Sequence, residues 1–331
     1  MEPTSAILAV TLNCNARCTM CDIWQNRMHD EMRPEEYDLL PDSLTDINIS
    51  GGEPFLREDL PEILAVLHRT CPRARLVIST NGFLPARIHR LVRQALSIIP
   101  DLAVRVSIDG LHGMHDAVRG IPGGFEKCLE TLQEMSDLGV EDLGIGFTIL
   151  DQNLEQLPDV YRFSVEKKLQ LSVTIATDSS IFFGTGKESL RPRSRESLHA
   201  SLAGLAASEY RRIIPKHWFR GWYAESLIRY TGTGTRPLPC DAGGGFFYLD
   251  SLANVYGCHL LDNKMGNLRQ ASWDTIWSGE AAVKVRREAA GCNECWMVCT
   301  SKSAIRQRLP RIALSAAAGK LRSHLKNGRW G

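Results

Sequence analysis

The chain has 331 residues, 44% of them hydrophobic, and 39 Lys and Arg stand against 38 Asp and Glu for a formal net charge of +1. This length predicts two domains rather than one. No apolar run approaches a membrane span, and the near-neutral charge gives no bulk attraction to nucleic acid, so neither a transmembrane protein nor a nucleic-acid binder is expected. No secretory signal opens the chain, so the expected location is cytoplasmic. In a reducing compartment the ten cysteines serve as metal ligands before they serve as disulfides.

A first short apolar stretch, Ala6 to Leu12, reads as a strand. Cys14, Cys18 and Cys21 follow directly, three and two residues apart. Three soft thiolates on one tight loop suit an iron–sulfur cluster. A cubane needs four ligands, so one iron stays open, and an open metal position marks chemistry rather than structure. Structural zinc prefers paired C-x2-C units with four ligands, and no His or fourth Cys lies close by. A lipoprotein signal ending at Cys14 lacks a basic n-region and a long enough apolar run.

Further strands are predicted at Thr45–Ser50, Arg75–Ser79, Ala103–Ile108, Gly144–Ile149 and Leu171–Ala176. They are short and apolar, as expected of strands covered on both faces. Between them, Leu60, Ile63, Leu64 and Leu67 fall at helical spacing, as do Ile88, Leu91, Val92 and Ala95. Phe125, Leu129, Leu132 and Met135 do the same, as do Leu154, Leu157, Val160, Tyr161 and Val165. Alternating strands and helices imply βα units in a parallel sheet, either open or curled. Polar turns end the strands: Ser50-Gly51-Gly52-Glu53-Pro54, Ser79-Thr80-Asn81-Gly82 and Ser107-Ile108-Asp109-Gly110. Two glycines permit close backbone approach. Cys71 and Cys128 read as small core residues, and His112 and His115 as ordinary loop residues.

Residues 177–238 read as a helical connection whose Trp218, Phe219, Trp222 and Tyr223 pack between domains. From Cys240 the composition turns to glycine, cysteine and turn residues. Phe246–Leu249, a turn containing Asp250, and Val255-Tyr256 predict a hairpin with Cys240 and Cys258 at its outer ends. Cys292-x2-Cys295 supplies two more thiolates from one turn, and Cys299 a fifth. Four thiolates close either a second cluster or a zinc site.

The spacing C-x3-C-x2-C after a first strand resembles the signature of the radical S-adenosylmethionine (SAM) enzymes. The resemblance implies a partial (β/α)6 TIM-like barrel with the site at the C-terminal strand ends. It implies a [4Fe–4S] cluster on Cys14, Cys18 and Cys21 whose open iron chelates SAM. One electron cleaves SAM to a 5′-deoxyadenosyl radical, which abstracts a substrate hydrogen. Met20 departs from the aromatic residue frequent before the third cysteine. Gly51, Gly52 and Glu53 resemble the element that binds the SAM amino group. Ser107 and Asp109 are implied as ribose or carboxylate contacts. Arg119-Gly120 resembles an element whose Arg pairs with the SAM carboxylate. Gly144-Ile145-Gly146 matches the adenine-contacting element only in part and carries nothing over.

The C-terminal cysteines resemble the SPASM domain in its shorter twitch form, with one auxiliary [4Fe–4S] cluster. The expected ligands are Cys240, Cys258, Cys292 and Cys295, with Cys299 the spare or alternative. Gly266-Asn267-Leu268 and Trp273 to Trp277 also resemble that domain, while Ala253 stands where a Gly is usual. The expected domains are the barrel at 1–176, the connection at 177–238, the cysteine-rich domain at 239–300 and a basic tail at 301–331.

The expected activity is dehydrogenation of a small molecule such as a sugar or alcohol, with a flavodoxin- or ferredoxin-type electron donor. The absence of a leader-binding extension favours that over the alternative of a peptide maturase. An iron–sulfur or zinc scaffold without turnover is the alternative of another class. Eight Lys and Arg lie between Lys302 and Arg329, with no acidic residue after Glu294. With Ile312, Leu314, Leu321 and Leu325 as an apolar stripe, the tail could pack on the acidic body. The sharper expectation is a helix drawn to an anionic membrane or an acidic carrier protein.

Overall fold

In the computed structural model, residues 2–25, 30–177, 179 and 190–323 are described. Six parallel strands carry the first half: β1 (Ser5–Thr11), β2 (Asp46–Gly51), β3 (Arg75–Thr80), β4 (Ala103–Ser107), β5 (Leu143–Ile149) and β6 (Gln170–Ile175). Each lies within a residue of its expected ends, because an apolar run between turn residues fixes a doubly covered strand. Every residue of β1 is buried.

Four apolar stripes become helices that cover the outer face: α1 (Leu60–Thr70), α2 (Pro85–Leu96), α4 (Gly124–Asp137) and α5 (Leu157–Glu166), with a short α3 (Gly113–Arg119) before α4. In α1, Leu60, Ile63, Leu64 and Leu67 are all buried, each worth about 1.5–3 kcal/mol in transfer from water. Val165 is the exception: it remains 39% exposed. The core is continuous from these helices through the sheet to the C-terminal half.

The connection forms α6 (Arg195–Arg211), started by Ser194, whose Oγ accepts from the Ser197 N–H, and α7 (Pro215–Thr233). The expected hairpin is present as β7 (Phe246–Leu249) and β8 (Asn254–Tyr256), pairing Tyr248 with Tyr256 and Leu249 with Val255. A third strand, β9 (Lys264–Asn267), extends it. The cysteine-rich segment is not a detached sheet: β7 pairs in parallel with β1, Ser5 opposite Phe246 and Leu8 opposite Leu249. One sheet runs β6-β5-β4-β3-β2-β1-β7-β8-β9. Helices α8 (Trp273–Ser278), α9 (Glu280–Ala290), α10 (Val298–Gln307) and α11 (Leu309–Ser323) complete the chain. Helix α10 crosses residue 300, where a domain boundary was expected.

The tail uses much of its charge on the body. Lys302 Nζ lies 2.7 Å from Asp46 and Arg306 lies 3.3 Å from it. Lys320 donates to the carbonyls of Tyr210 and Arg212. The apolar stripe divides: Ile312 is buried, Leu314 and Leu321 face out, and Leu325 lies outside the described residues. Among the described residues no helix is long and apolar enough to cross a membrane.

Candidate active site

The cysteine loop is held from two sides by backbone. From α3, the Arg119 carbonyl accepts from the Arg17 N–H at 3.0 Å and the Val118 carbonyl from the Thr19 N–H at 2.9 Å. Gly120 ends α3 at φ +66°, and a Cβ there would stand 2.4 Å from the Arg17 carbonyl oxygen, so the Arg-Gly pair seats the loop. From β2, Gly51 lies opposite Thr11 at the end of β1. The Gly52 N–H donates to Thr11 O, and the Glu53 N–H donates to Asn13 O. A Cβ on Gly52 would meet Asn13 O at 2.1 Å. The two glycines are thus required first by the approach of β2 to the cysteine loop, and they also line a cavity there.

That cavity, of about 280 Å³, is bordered by Cys14, Cys18, Cys21, Ser107 and Arg119. Met20 lines it too, packed near Val118, Leu150 and Ala176. Burial pushes the Cys14 thiol up to about 11 and the Cys21 thiol to about 12, with neighbouring thiolates adding to the shift. Three thiolates so close and so dry require a cationic partner, which suits iron.

Glu53 is fully buried and does not border the cavity. Its Oε1 accepts from Thr80 Oγ1 at 2.8 Å and the Phe55 N–H at 3.2 Å, and its Oε2 from the Asn81 N–H at 2.7 Å. Asn81 Nδ2 in turn donates to Asn15 Oδ1 on the cysteine loop at 2.7 Å. The Glu53 carboxylate therefore reaches the site through Asn81, a residue of the polar strand-end turn that also borders the cavity.

Asp109 is also fully buried. Its Oδ1 accepts from the Thr148 N–H at 2.7 Å and its Oδ2 pairs with Arg119 Nη2 at 2.6 Å. Arg119 Nη1 lies 3.7 Å from Cys18 Sγ. Ser107 and Arg119 face open space, while Asp109 holds Arg119 from behind. His115 is no loop residue: it is buried in α3, its Nδ1 accepts from the Asp109 N–H at 3.2 Å, and burial lowers it to about 3, which keeps it neutral. Cys128 is buried with its thiol 3.2 Å from the Asn81 carbonyl, as a core residue should be.

A second cavity, of about 560 Å³, shares Ser79, Ser107, Arg119, Thr148, Thr174 and Met297 with the first. It lies inside the barrel, closed by α7 and α10 through Phe219, Tyr223 and Cys299. The aromatic run on α7 does pack between the two halves: Tyr223 stacks on Trp296 and donates to its carbonyl at 3.1 Å. It also walls this cavity, which the spacing alone did not show.

The second cysteine group separates the five thiols. Cys240, Cys258 and Cys295 share one apolar cluster, and a hydrogen bond from Cys240 lowers Cys292 while raising Cys240. Cys299, on the first turn of α10, packs instead against the buried cluster of Ile7, Ala9, Leu12, Ile23 and Tyr248, with Cys295 near enough to act on its charge. Arg236, only 6% exposed, places Nη1 3.4 Å from Cys295 Sγ and 2.6 Å from its carbonyl, with the guanidinium over Trp296. A buried cation facing sulfur fits a thiolate-bound centre of net negative charge. Nothing in its local sequence, a Thr-Gly-rich turn, marked it. Among the described residues no three metal-capable side chains stand at single-ion spacing; a cubane spreads its thiolates over several irons.

Residues 8–164 match the family model described as the radical SAM superfamily, and residues 240–296 match the SPASM iron–sulfur cluster-binding domain. The Fe-coproporphyrin III synthase of Methanosarcina barkeri is 35% identical over 170 residues, 48% of this chain and 40% of that protein. The match thus spans less than half of that relative. The AdoMet-dependent heme synthase of Nitratidesulfovibrio vulgaris is 28% identical, covering 83% of this chain and 79% of its own. The sporulation killing factor maturation protein SkfB of Bacillus subtilis is 24% identical over 88% and 68%. A solved structure of anSMEcpe with bound AdoMet superposes with a TM-score of 0.67 at 16% identity, covering 96% of this chain and 100% of that one, a likeness of fold.

Proposed function

Because the chain belongs to the radical SAM superfamily and carries a SPASM domain, with SAM and [4Fe–4S] clusters as its cofactors, we propose that it oxidises a C–H bond of a substrate held in the larger cavity. When bound, SAM and the cluster on Cys14, Cys18 and Cys21 supply the radical that takes a hydrogen atom. Gly51, Gly52 and Ser107 border the space for SAM, and Arg119 offers its carboxylate a guanidinium held by Asp109. Glu53 and Asn81 fix the loop that carries these groups. The observation that carries the reading is the shared wall: Ser107 and Arg119 border both cavities, and Met297 and Cys299, beside the second cysteine group, close the larger one. Chemistry begun at one centre is therefore within reach of the other, as net oxidation requires. Four thiolates, Cys240, Cys258, Cys292 and Cys295, would hold the auxiliary cluster as a one-electron acceptor, and a flavodoxin- or ferredoxin-type protein supplies the starting electron.

Two substrate classes have support. A cavity walled by two helices favours a compact molecule, and the heme synthase relative covers most of both chains. A peptide is favoured by the PqqA peptide cyclase and by two relatives named for maturation, SkfB and the mycofactocin maturase MftC, at similar coverage. The exposed face of Arg311, Leu314 and Leu321 on α11 is what remains for a membrane or carrier contact. Anaerobic protein with reduced clusters should form 5′-deoxyadenosine from SAM, and the true substrate, tetrapyrrole or peptide, should raise that rate and transfer deuterium into it. Failure to form 5′-deoxyadenosine at all would leave the scaffold alternative standing.

A further inference from the structure

The larger cavity has a basic floor at the end away from the cysteine loop. Arg75 opens β3, Arg105 lies in mid β4, and Lys216 and Arg220 stand one turn apart on α7; all four line the cavity. Ser79 and Ser107, at the far ends of the same two strands, border the cavity of the cysteine loop as well. At about 3.3 Å per residue, Arg75 to Ser79 spans roughly 13 Å and Arg105 to Ser107 roughly 7 Å.

The carboxylates nearby do not match these cations. Asp142 takes both Arg75 and Arg105 at 2.5 Å, and Asp46 stands 3.7 Å from Arg75 but is shared with Lys302 and Arg306. Glu209, which also lines the cavity, accepts from His217 Nδ1 at 2.5 Å. Arg220 hydrogen-bonds the neutral Gln170 side chain. Among the described residues no carboxylate stands within 4.0 Å of Lys216 Nζ or the Arg220 guanidinium. Burial works most strongly against the charge of Arg105, Lys216 and Arg220; Asp142, joined by Glu209 at Arg220, offsets part of that, and the neighbouring cations oppose it again. Cations that outnumber the carboxylates in a partly dry space are costly, and an anion entering the cavity would relieve that cost.

We propose that this floor is an anion subsite that anchors a carboxylate of the substrate and so presents a C–H bond roughly 7–13 Å away, at the Ser79 and Ser107 end, for reaction. The inference rests on the larger cavity being the substrate cavity. The same chemistry is met by a compact polyacid and by an acidic peptide segment. Guanidinium groups suit carboxylates through their bidentate fork, with Lys216 adding a mobile point charge at the rim.

Binding of coproporphyrin III and of its tetra-amide, and of a Glu-containing hexapeptide and its Gln counterpart, to the iron-loaded full chain distinguishes the sources. The acid of one pair should bind at least tenfold tighter than its neutral partner, and the preference should weaken as salt rises. Lys216→Gln and Arg220→Gln should each reduce that preference severalfold, and Arg220→Lys should restore part of it. Iron content and SAM affinity report whether each variant is folded. Equal binding of acid and neutral forms, binding of neither acid, or an unchanged preference in folded variants overturns the proposal. SAM cleavage without substrate, measured alongside, tests the enzymatic reading separately, since it needs no occupant in the cavity.

Discussion

Asp109 and Arg119 form a buried ion pair of 2.6 Å that turns the guanidinium toward Cys18. The pair joins the end of β4 to the end of α3, so the guanidinium that borders the cavity is oriented by a carboxylate that does not. Arg119→Ala should weaken SAM binding and, by leaving Asp109 buried without its cation, cost about 3–5 kcal/mol of stability. Asp109→Asn keeps the guanidinium but loosens it, so SAM affinity should fall less. Calorimetric titration with SAM checks both; equal affinity in wild type and Arg119→Ala would remove the Arg from the SAM site.

The reconstituted protein should carry about eight irons, four in each of two cubanes. Replacing Cys14, Cys18 and Cys21 together with Ala should remove about four of them and abolish SAM cleavage. Iron analysis and 5′-deoxyadenosine formation are the measurements, and a triple variant that still cleaves SAM contradicts the assignment.

Cys299 should be dispensable for the auxiliary cluster. It packs against the cluster that holds Ile7, Leu12 and Tyr248, whereas Cys240, Cys258 and Cys295 lie in one apolar cluster beside Arg236. Cys299→Ala should therefore keep its full iron content, and Cys258→Ala should lose about four irons. The reverse pattern would make Cys299 a ligand.

Arg269, just after β9, grips the segment before β2. Its guanidinium takes Glu36 at 2.6 Å and Asp30 at 2.9 Å and also donates to the Glu31 carbonyl. The Arg269 hydrogen bond lowers the Glu36 carboxyl from 4.5 to about 2. A depressed carboxyl contributes stability above its unfolded value and loses it as pH falls through the folded one. The contribution should therefore be complete above about pH 5 and vanish toward pH 2. Arg269→Ala should cost about 1 kcal/mol at neutral pH and nothing near pH 2, as read from denaturant midpoints across that window.

Ala253 lies in the turn between β7 and β8 at φ +67°, where a side chain is strained. The resemblance to the SPASM domain implies Gly at this position, and a positive φ is the conformation glycine adopts freely. Ala253→Gly should raise stability by up to about 1 kcal/mol, the relief of strain being partly offset by loss of a fully buried methyl. A lower unfolding midpoint would mean that the methyl outweighs the strain.

The sequence by itself determined what is local. Cysteine spacing on one loop, apolar runs between turn residues and helical stripes each encode their outcome over a few neighbours, so the barrel strands, the hairpin and the three-thiol loop were legible. Proximity between distant segments is set by packing and was not. The parallel pairing of β7 with β1 depends on two buried strands meeting across more than half the chain. The brace from Glu53 through Asn81 to Asn15 depends on three strand ends converging. The place of Arg236 among the cysteines, and of Arg75, Arg105, Lys216 and Arg220 around one cavity, follows only once the helices close the barrel. An isolated basic residue in a sequence reads as solvated surface; only the fold can bring such residues together away from water.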